Sequence, residues 1–335
     1  VRRALIVGRD VSWPAITGGY ARMVEYLADG VFQGYDTWVL EGIGPRPVAL
    51  HHGEETVAFY PSVDEVLALE PAFAFFFQSA ADVGAPAFAR IAREVPSFFF
   101  SQRHPPVPAA LRLPFRGWVA HSAASPSPDL LVLGGAFDER VFFPDGRPRE
   151  DLVVSVARIA REKNQAALVA GYRERIWERH GLSLLLVGGN GDDAYWSLVS
   201  RWVDGVAVRS TLVEAGEGSY NGFLPSAGVA ELCRRARFMV MPSERETFCL
   251  ALVEAMACGA TCVVNGWYPG FDPAELAPRV FGPVEGPRGS ILDVLDEAIR
   301  ADVRIDASGW ARERFSIPAI AARLMPFIEA RLGPR

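Results

Sequence analysis

The stretch FMVMPSERETFCLALVEAMACGATCVVN, residues 238–265, decides how the rest of this chain is read. Its first four residues are apolar, which marks a strand buried on both faces of a parallel sheet. Pro242 and Ser243 break that run. Residues 247–258 suit a helix, because Phe248, Ala251, Leu252 and Ala255 recur at i, i+3, i+4 and i+7. Gly259 stands where a left-handed cap ends such a helix, and residues 261–264 make the next strand. Two carboxylates interrupt the pattern: Glu246 in the loop before the helix, and Glu254 inside it. Eight helical residues rise about 12 Å, roughly the reach of a sugar diphosphate. The helix N-terminus between the two acids favours an anion. Taken alone, the same pattern equally fits a first-turn helix acid and a second acid paired with a structural arginine.

Composition sets the frame. A chain of 335 residues is long enough for two domains of ordinary size. Half of the residues are hydrophobic and 22% are charged, which describes a well-cored globular protein and excludes a disordered one. No apolar run approaches the ~18 residues of a membrane span. The opening VRRALIVGRD reads as a strand behind two arginines, too short for a secretory signal. Cys233, Cys249, Cys258 and Cys262 have no zinc spacing with histidine. They read as buried small hydrophobes in a reducing compartment, and a cytoplasmic location is expected. A net charge of −6 weighs against a general nucleic-acid binder.

The chain then reads as alternating strands and helices, the pattern of doubly wound α/β domains. A strand at 4–8 leads through a loop containing Gly18 and Gly19 to a helix that carries Met23, Tyr26, Leu27 and Val31 on one side. Paired glycines here let the backbone approach a ligand, although a simple turn fits as well. Strands are expected at 37–40, 57–60, 72–77 and 97–100, with helices at 63–69 and 85–93. His104 follows the last of these strands, in the loop region where α/β folds place ligands. His121, at the end of another strand, competes for the same role. Residues 144–148, PDGRP, are a linker by composition. A strand at 152–156 runs into ARIAREKNQ, which presents Arg158 and Lys163 five residues apart, with Arg161 between them. Residues 182–187 form another strand, followed by Gly188 and Gly189 in GGNGD. This is not the GxGxxG of a dinucleotide site. Residues 201–221 read as a loop with a strand, and 226–237 as a helix. Beyond Val264 lies the aromatic, glycine-containing loop NGWYPGFD. Helices close the chain at 291–299, around Trp310 and Phe315, and at 317–332.

Glu246 and Glu254 at this spacing, followed by Ala-Met-Ala-x-Gly, resemble the pattern of retaining glycosyltransferases of the GT-B fold, family 4 type. The joint order of Arg158, Lys163, the glycine turn, Glu246 and Glu254 strengthens the resemblance over residues 153–264, and it extends loosely over the rest. Cys249 and Thr247 depart from the small residues and glycines usual near the first acid. So do Trp267 and Tyr268, where the family generally has glycines.

The resemblance implies an α/β protein with two Rossmann-like doubly wound domains facing a central cleft. Residues 1–147 would bind the acceptor, with the helix at 317–332 packing back on them. Residues 148–316 would bind the donor. The implied activity is transfer of a hexose from a UDP- or GDP-sugar, such as UDP-glucose, to an acceptor hydroxyl with retention. Arg158 and Lys163 would hold the diphosphate, Glu246 would orient sugar hydroxyls, and Glu254 would accept the ribose hydroxyls. His104 would contact the transferred sugar. Gly18 and Gly19 would face the donor phosphates, Gly188 and Gly189 would lie beneath the base, and Thr247, Phe248, Cys249 and Leu250 would form the helix start beside the diphosphate. No cofactor is expected besides the nucleotide-sugar co-substrate. The chain has no Asp-x-Asp triplet, so no metal is expected either. The acceptor stays open between a natural product, a glycan, a lipid and a hydroxylated nucleic-acid base. A catalytically silent nucleotide-sugar-binding protein is the alternative outside enzymes.

Overall fold

Strands with both faces buried need apolar side chains at odd and even positions alike. This rule governs most of the chain in the structure, a computed structural model describing residues 1–8, 19–43, 46–53, 55–77, 85–101, 113–121, 127–214 and 224–333. The chain divides into two compact units, Val1–Ala136 with Ser316–Arg335, and Phe137–Phe315.

The first unit holds β1 (Arg2–Gly8), β2 (Tyr35–Ile43), β3 (Arg46–His52), β4 (Glu55–Phe59), β5 (Phe73–Phe77), β6 (Ser97–Ser101), β7 (Gly117–Ala120) and β8 (Leu130–Val132). They form one sheet in the order β4-β3-β2-β1-β5-β6-β7-β8. Pairing is parallel except for β2–β3 and β3–β4. All five residues of β5, FAFFF, are buried. The antiparallel β3 is absent from the sequence reading, which expects one strand near 57–60. Its apolar run is short, and its buried His51 is polar. That histidine is accommodated because Nε2 lies 3.3 Å from Glu41 Oε2 and Nδ1 lies 3.1 Å from Thr56 Oγ1.

The second unit holds β9 (Glu150–Val156), β10 (Ser183–Val187), β11 (Val208–Ser210), β12 (Ala236–Met241) and β13 (Thr261–Val264). All pairs are parallel, in the order β11-β10-β9-β12-β13. Successive side chains enter opposite cores. Leu152, Val154, Met239, Met241, Cys262 and Val264 pack with the helix Leu250–Ala257, whereas Val153, Phe238, Val240 and Val263 pack with the helix Ile291–Arg300. The strand order reverses between β9 and β12. In open α/β sheets ligands bind outside the carboxyl ends of the strands at such a switch point.

The division between units falls between Ala136 and Phe137 instead of within PDGRP. Phe137 and Phe142 are buried in the second unit's core, and the Phe137 N–H donates to the Phe315 carbonyl at 2.9 Å. The proline- and glycine-rich stretch marks an exposed turn, whereas burial of these aromatic rings decides which core the preceding residues join. The helix Ile317–Leu332 belongs to the first unit. A Cβ on Gly30 would lie 2.5 Å from Ile317, and one on Gly117 would lie 2.7 Å from Phe327. Arg323 Nη2 donates to the Val132 carbonyl at 2.7 Å. No helix among the described residues is long and apolar enough to cross a membrane.

One side chain ties two helix ends to the second sheet. Arg149 donates to the carbonyls of Cys233 at 2.7 Å, Arg234 at 2.6 Å and Cys258 at 2.8 Å. Those carbonyls end the helices Ser226–Arg235 and Leu250–Ala257, where a cation complements both the unpaired oxygens and the dipole. Arg149→Ala is therefore expected to cost roughly 2–4 kcal/mol in denaturant unfolding, because part-buried acceptors lose a charged donor. Arg149→Lys, lacking the fork, is expected to recover only part of it.

Candidate active site

The loops that follow β9 and β12 meet at the switch point. The first runs from Ala157 through the single turn Arg161–Lys163 to Asn164, whose φ of +55° is left-handed, a conformation asparagine tolerates. Gln165 fixes this loop from beneath. It is 1% exposed, its Nε2 donates to the Arg158 carbonyl at 2.8 Å, and its Oε1 accepts from the Ala160 N–H at 3.4 Å. Sequence reasoning missed Gln165. The available signal was an amide side chain at the start of an otherwise apolar helix turn, QAALV.

The glycine turn after β10 closes on the same loop. Ile159 N–H donates to the Gly189 carbonyl at 2.9 Å, and Gly191 N–H donates to the Ile159 carbonyl at 3.0 Å. Gly188 has φ +148°, and a Cβ there would lie 2.1 Å from the Ala157 carbonyl oxygen, so only glycine fits. Arg158, laid against Gly191, reaches Glu162 at 2.6 Å. Both side chains of that pair are more than half exposed.

The second loop carries Glu246. Its carboxylate is only 8% exposed, and the Lys163 ammonium touches both of its oxygens, at 2.7 and 2.8 Å. Lysine has three N–H donors, so this contact leaves one. The backbone around Glu246 is equally constrained. Glu246 N–H donates to the Trp267 carbonyl at 2.8 Å, and Trp267 N–H donates to the Glu244 carbonyl at 2.7 Å. Gly266 and Gly270 allow this close approach, since a Cβ would lie 2.3 Å from the Ser243 oxygen or 2.2 Å from the Thr247 oxygen.

The helix begins three residues later than periodicity suggests, at Leu250. Thr247 and Phe248 stay in the loop that Gly270 holds, and Cys249 precedes the helix at φ +68°. A non-glycine residue in that region stores about 1–3 kcal/mol of strain. The Phe248 ring stacks on Phe271 at 4.7 Å and meets Phe315 edge-on at 5.2 Å, so the ring serves the core. Burial pushes the Cys249 thiol well up, with Glu246 adding to the shift. Glu254 is completely buried.

The structure therefore brings Lys163 and Glu246 into contact, sets Arg158 over the glycine turn, and places Glu254 inside the helix that follows. Gly19 starts the helix Gly19–Tyr26 of the first unit. Gly18 and His104 lie outside the described residues. His121 is packed edge-on against Phe100 at 4.8 Å, with Nδ1 3.3 Å from the Leu133 carbonyl oxygen. Burial lowers its pKa to about 4, so it is neutral near pH 7. Among the described residues, no group of three or more His, Cys, Asp or Glu is placed to hold a metal ion.

The Lys163–Glu246 contact is testable without any ligand. Lys163→Met leaves a carboxylate in a site nearly closed to water and is expected to cost about 1–3 kcal/mol. Adding Glu246→Gln removes that charge. The double variant should fall short of the summed single costs by at least about 1 kcal/mol in a denaturation cycle.

Comparison with known proteins bears on the same segment. Residues 150–273 match the family described as glycosyl transferases group 1. N-acetyl-alpha-D-glucosaminyl L-malate synthase of Bacillus anthracis is 25% identical over 153 residues, 43% of this chain and 37% of that protein. D-inositol 3-phosphate glycosyltransferase of Segniliparus rotundus is 33% identical over 138 residues, 40% of this chain and 28% of that protein. The matches thus span well under half the length of these relatives. Among solved structures, sucrose-phosphate synthase from Thermosynechococcus elongatus aligns with a TM-score of 0.69 at 15% identity, covering 98% of this chain and 99% of that one. Anabaena Alr3699/HepE in complex with UDP and glucose aligns with a TM-score of 0.69 at 15% identity, covering 98% and 100%. Arg158, Lys163, Gly188, Gly189, Glu246 and Glu254 all fall within the residues that match the glycosyl transferases group 1 family, in a chain with the fold of the GT-B glycosyltransferases.

Proposed function

We propose that this protein is a retaining glycosyltransferase that moves a hexose from a nucleotide-diphosphate sugar to an acceptor hydroxyl without a metal ion. The observation that carries this reading is the Lys163 ammonium held against both oxygens of Glu246 at the switch point, in the segment that matches the family. UDP and glucose in the structure of Anabaena Alr3699/HepE support a nucleotide sugar, with UDP-glucose as the first donor to test.

Each group has a role that its surroundings suit. Lys163 keeps one N–H after contacting Glu246, which it directs to a phosphate oxygen. Arg158 makes an exposed contact with Glu162, worth at most about 1 kcal/mol, so it exchanges readily for a diphosphate. Both cations stabilise negative charge as it develops on the leaving group. Protein cations thereby take the part of a metal. Glu246, fixed by Lys163 and by its own backbone, accepts from sugar hydroxyls. Glu254 accepts from the ribose diol, whose two hydroxyls match one carboxylate. Arg158, Lys163, Glu246 and Glu254 lie in the second unit, and the first unit takes the acceptor.

Arg158→Ala and Lys163→Ala are each expected to lower turnover by more than about tenfold with the fold retained. Wild-type kinetics in both would remove the diphosphate assignment. Glu254→Gln is expected to weaken UDP or GDP binding by roughly 1.5–3 kcal/mol in calorimetry, the scale of a charged hydrogen bond. A variant that binds as wild type but melts several degrees lower would make Glu254 structural. Turnover is expected to persist in EDTA. Loss in EDTA with recovery on adding manganese or magnesium would overturn the metal-independent reading.

A further inference from the structure

Tyr268 is a second polar group beside Glu246, and the scheme above gives it no task. Backbone register sets its direction. Arg245 and Trp267 form a parallel bridge, and Trp267 forms an antiparallel bridge with Glu285. Bridged residues direct their side chains to the same side of a sheet, and the residues next to them point to the opposite side. The exposures of Arg245 and Glu246, and of Trp267 and Tyr268, agree with it. Arg245 is exposed and Trp267 is 52% exposed, whereas Glu246 is 7% and Tyr268 is 2% exposed. Glu246 and Tyr268 therefore share the inner side.

The backbone at Tyr268 is held firmly. Tyr268 N–H donates to the Val284 carbonyl at 3.2 Å, Phe271 N–H donates to the Tyr268 carbonyl at 3.0 Å, and Gly266 and Gly270 press the loop against residues 243–248. Its hydroxyl nevertheless has no hydrogen-bond partner among the described residues. Buried hydroxyls are nearly always satisfied, and an orphan needs an explanation. Burial pushes the phenol pKa well up, and Cys249 and Glu246 add to the shift, which keeps the proton on the oxygen and the group a donor.

A carboxylate only accepts hydrogen bonds, whereas a sugar hydroxyl both donates and accepts. Glu246 therefore satisfies half of such a hydroxyl, and a neighbouring donor satisfies the other half. We propose that Tyr268 is a specificity-determining residue whose hydroxyl donates to an oxygen of the transferred sugar, beside the Glu246 carboxylate. This rests on the donor reading given above. It makes the orphan hydroxyl a feature of the protein before the sugar arrives, and it selects for hydroxyl-bearing sugars at that position.

The test compares wild type and Tyr268→Phe for binding of UDP-glucose, UDP-galactose, UDP-N-acetylglucosamine and GDP-mannose, each against its parent UDP or GDP, by calorimetry. Melting of the ligand-free proteins is measured alongside. For the sugar that wild type prefers, Tyr268→Phe is expected to lose about tenfold in affinity. Its affinity for the parent nucleotide should stay within about twofold, and its ligand-free Tm should be equal or higher. Equal loss for sugar and parent nucleotide, or no loss for either, overturns the assignment of the hydroxyl to the sugar. So does a lower ligand-free Tm with unchanged sugar binding, which would make the hydroxyl structural. Wild type that binds none of these nucleotides overturns the donor reading itself, an outcome distinct from a wild type that binds and a variant that binds equally.

Discussion

The contact between Lys163 and Glu246 is the constraint around which the second unit's site is built. Two residues 83 positions apart meet because β9 and β12 are neighbours at the centre of a parallel sheet and both loops leave from its carboxyl edge. A carboxylate this nearly closed to water would be costly alone. The ammonium against both oxygens makes it tolerable and fixes its direction. Preorganised charge of this kind does not have to be rearranged during a reaction.

The backbone around that contact is unusually constrained, and the constraints have one physical cause. Loops at a sheet edge position side chains well only if they are packed against one another. Close packing of backbone on backbone requires glycine where a Cβ would collide, as at Gly188 beneath Ala157 and at Gly270 beneath Thr247. Cys249, like Asn164, adopts a left-handed conformation while carrying a side chain. Strain at a residue directly before the helix, next to the loop of Glu246, is of the sort that surrounding structure must overcome. The stacked rings of Phe248 and Phe271, edged by Phe315, supply that support from the core side.

The two units solve the burial problem differently. The second uses parallel strands alone, with each strand dividing its side chains between two apolar cores. The first extends its parallel strands with the antiparallel pair β3 and β4 at one edge. There the buried His51 is satisfied by the part-buried Glu41 and the exposed Thr56, beside the apolar Ala49 and Leu50. Val57 and Phe59 on the outermost strand remain exposed, as expected at a sheet edge that covers one side only.

Local pattern made much of this legible. Apolar runs located β1, β5, β6, β9, β10, β12 and β13, because a strand buried on both faces is apolar at every position. Glu246 and Glu254 stood out because they interrupt such runs, and Arg158 and Lys163 because they follow one. What tertiary structure alone decided depends on distant neighbours. Periodicity could not tell that Gly270 holds Thr247 out of the helix, nor that Phe137 is buried in the second core. It could not show that Lys163 lies on Glu246, since that pairing follows from strand order and not from sequence distance. The inward direction of Tyr268 is of the same kind. Its side is set by bridges from Trp267 to Arg245 and Glu285, and a one-residue shift in those pairings would turn the phenol out to water.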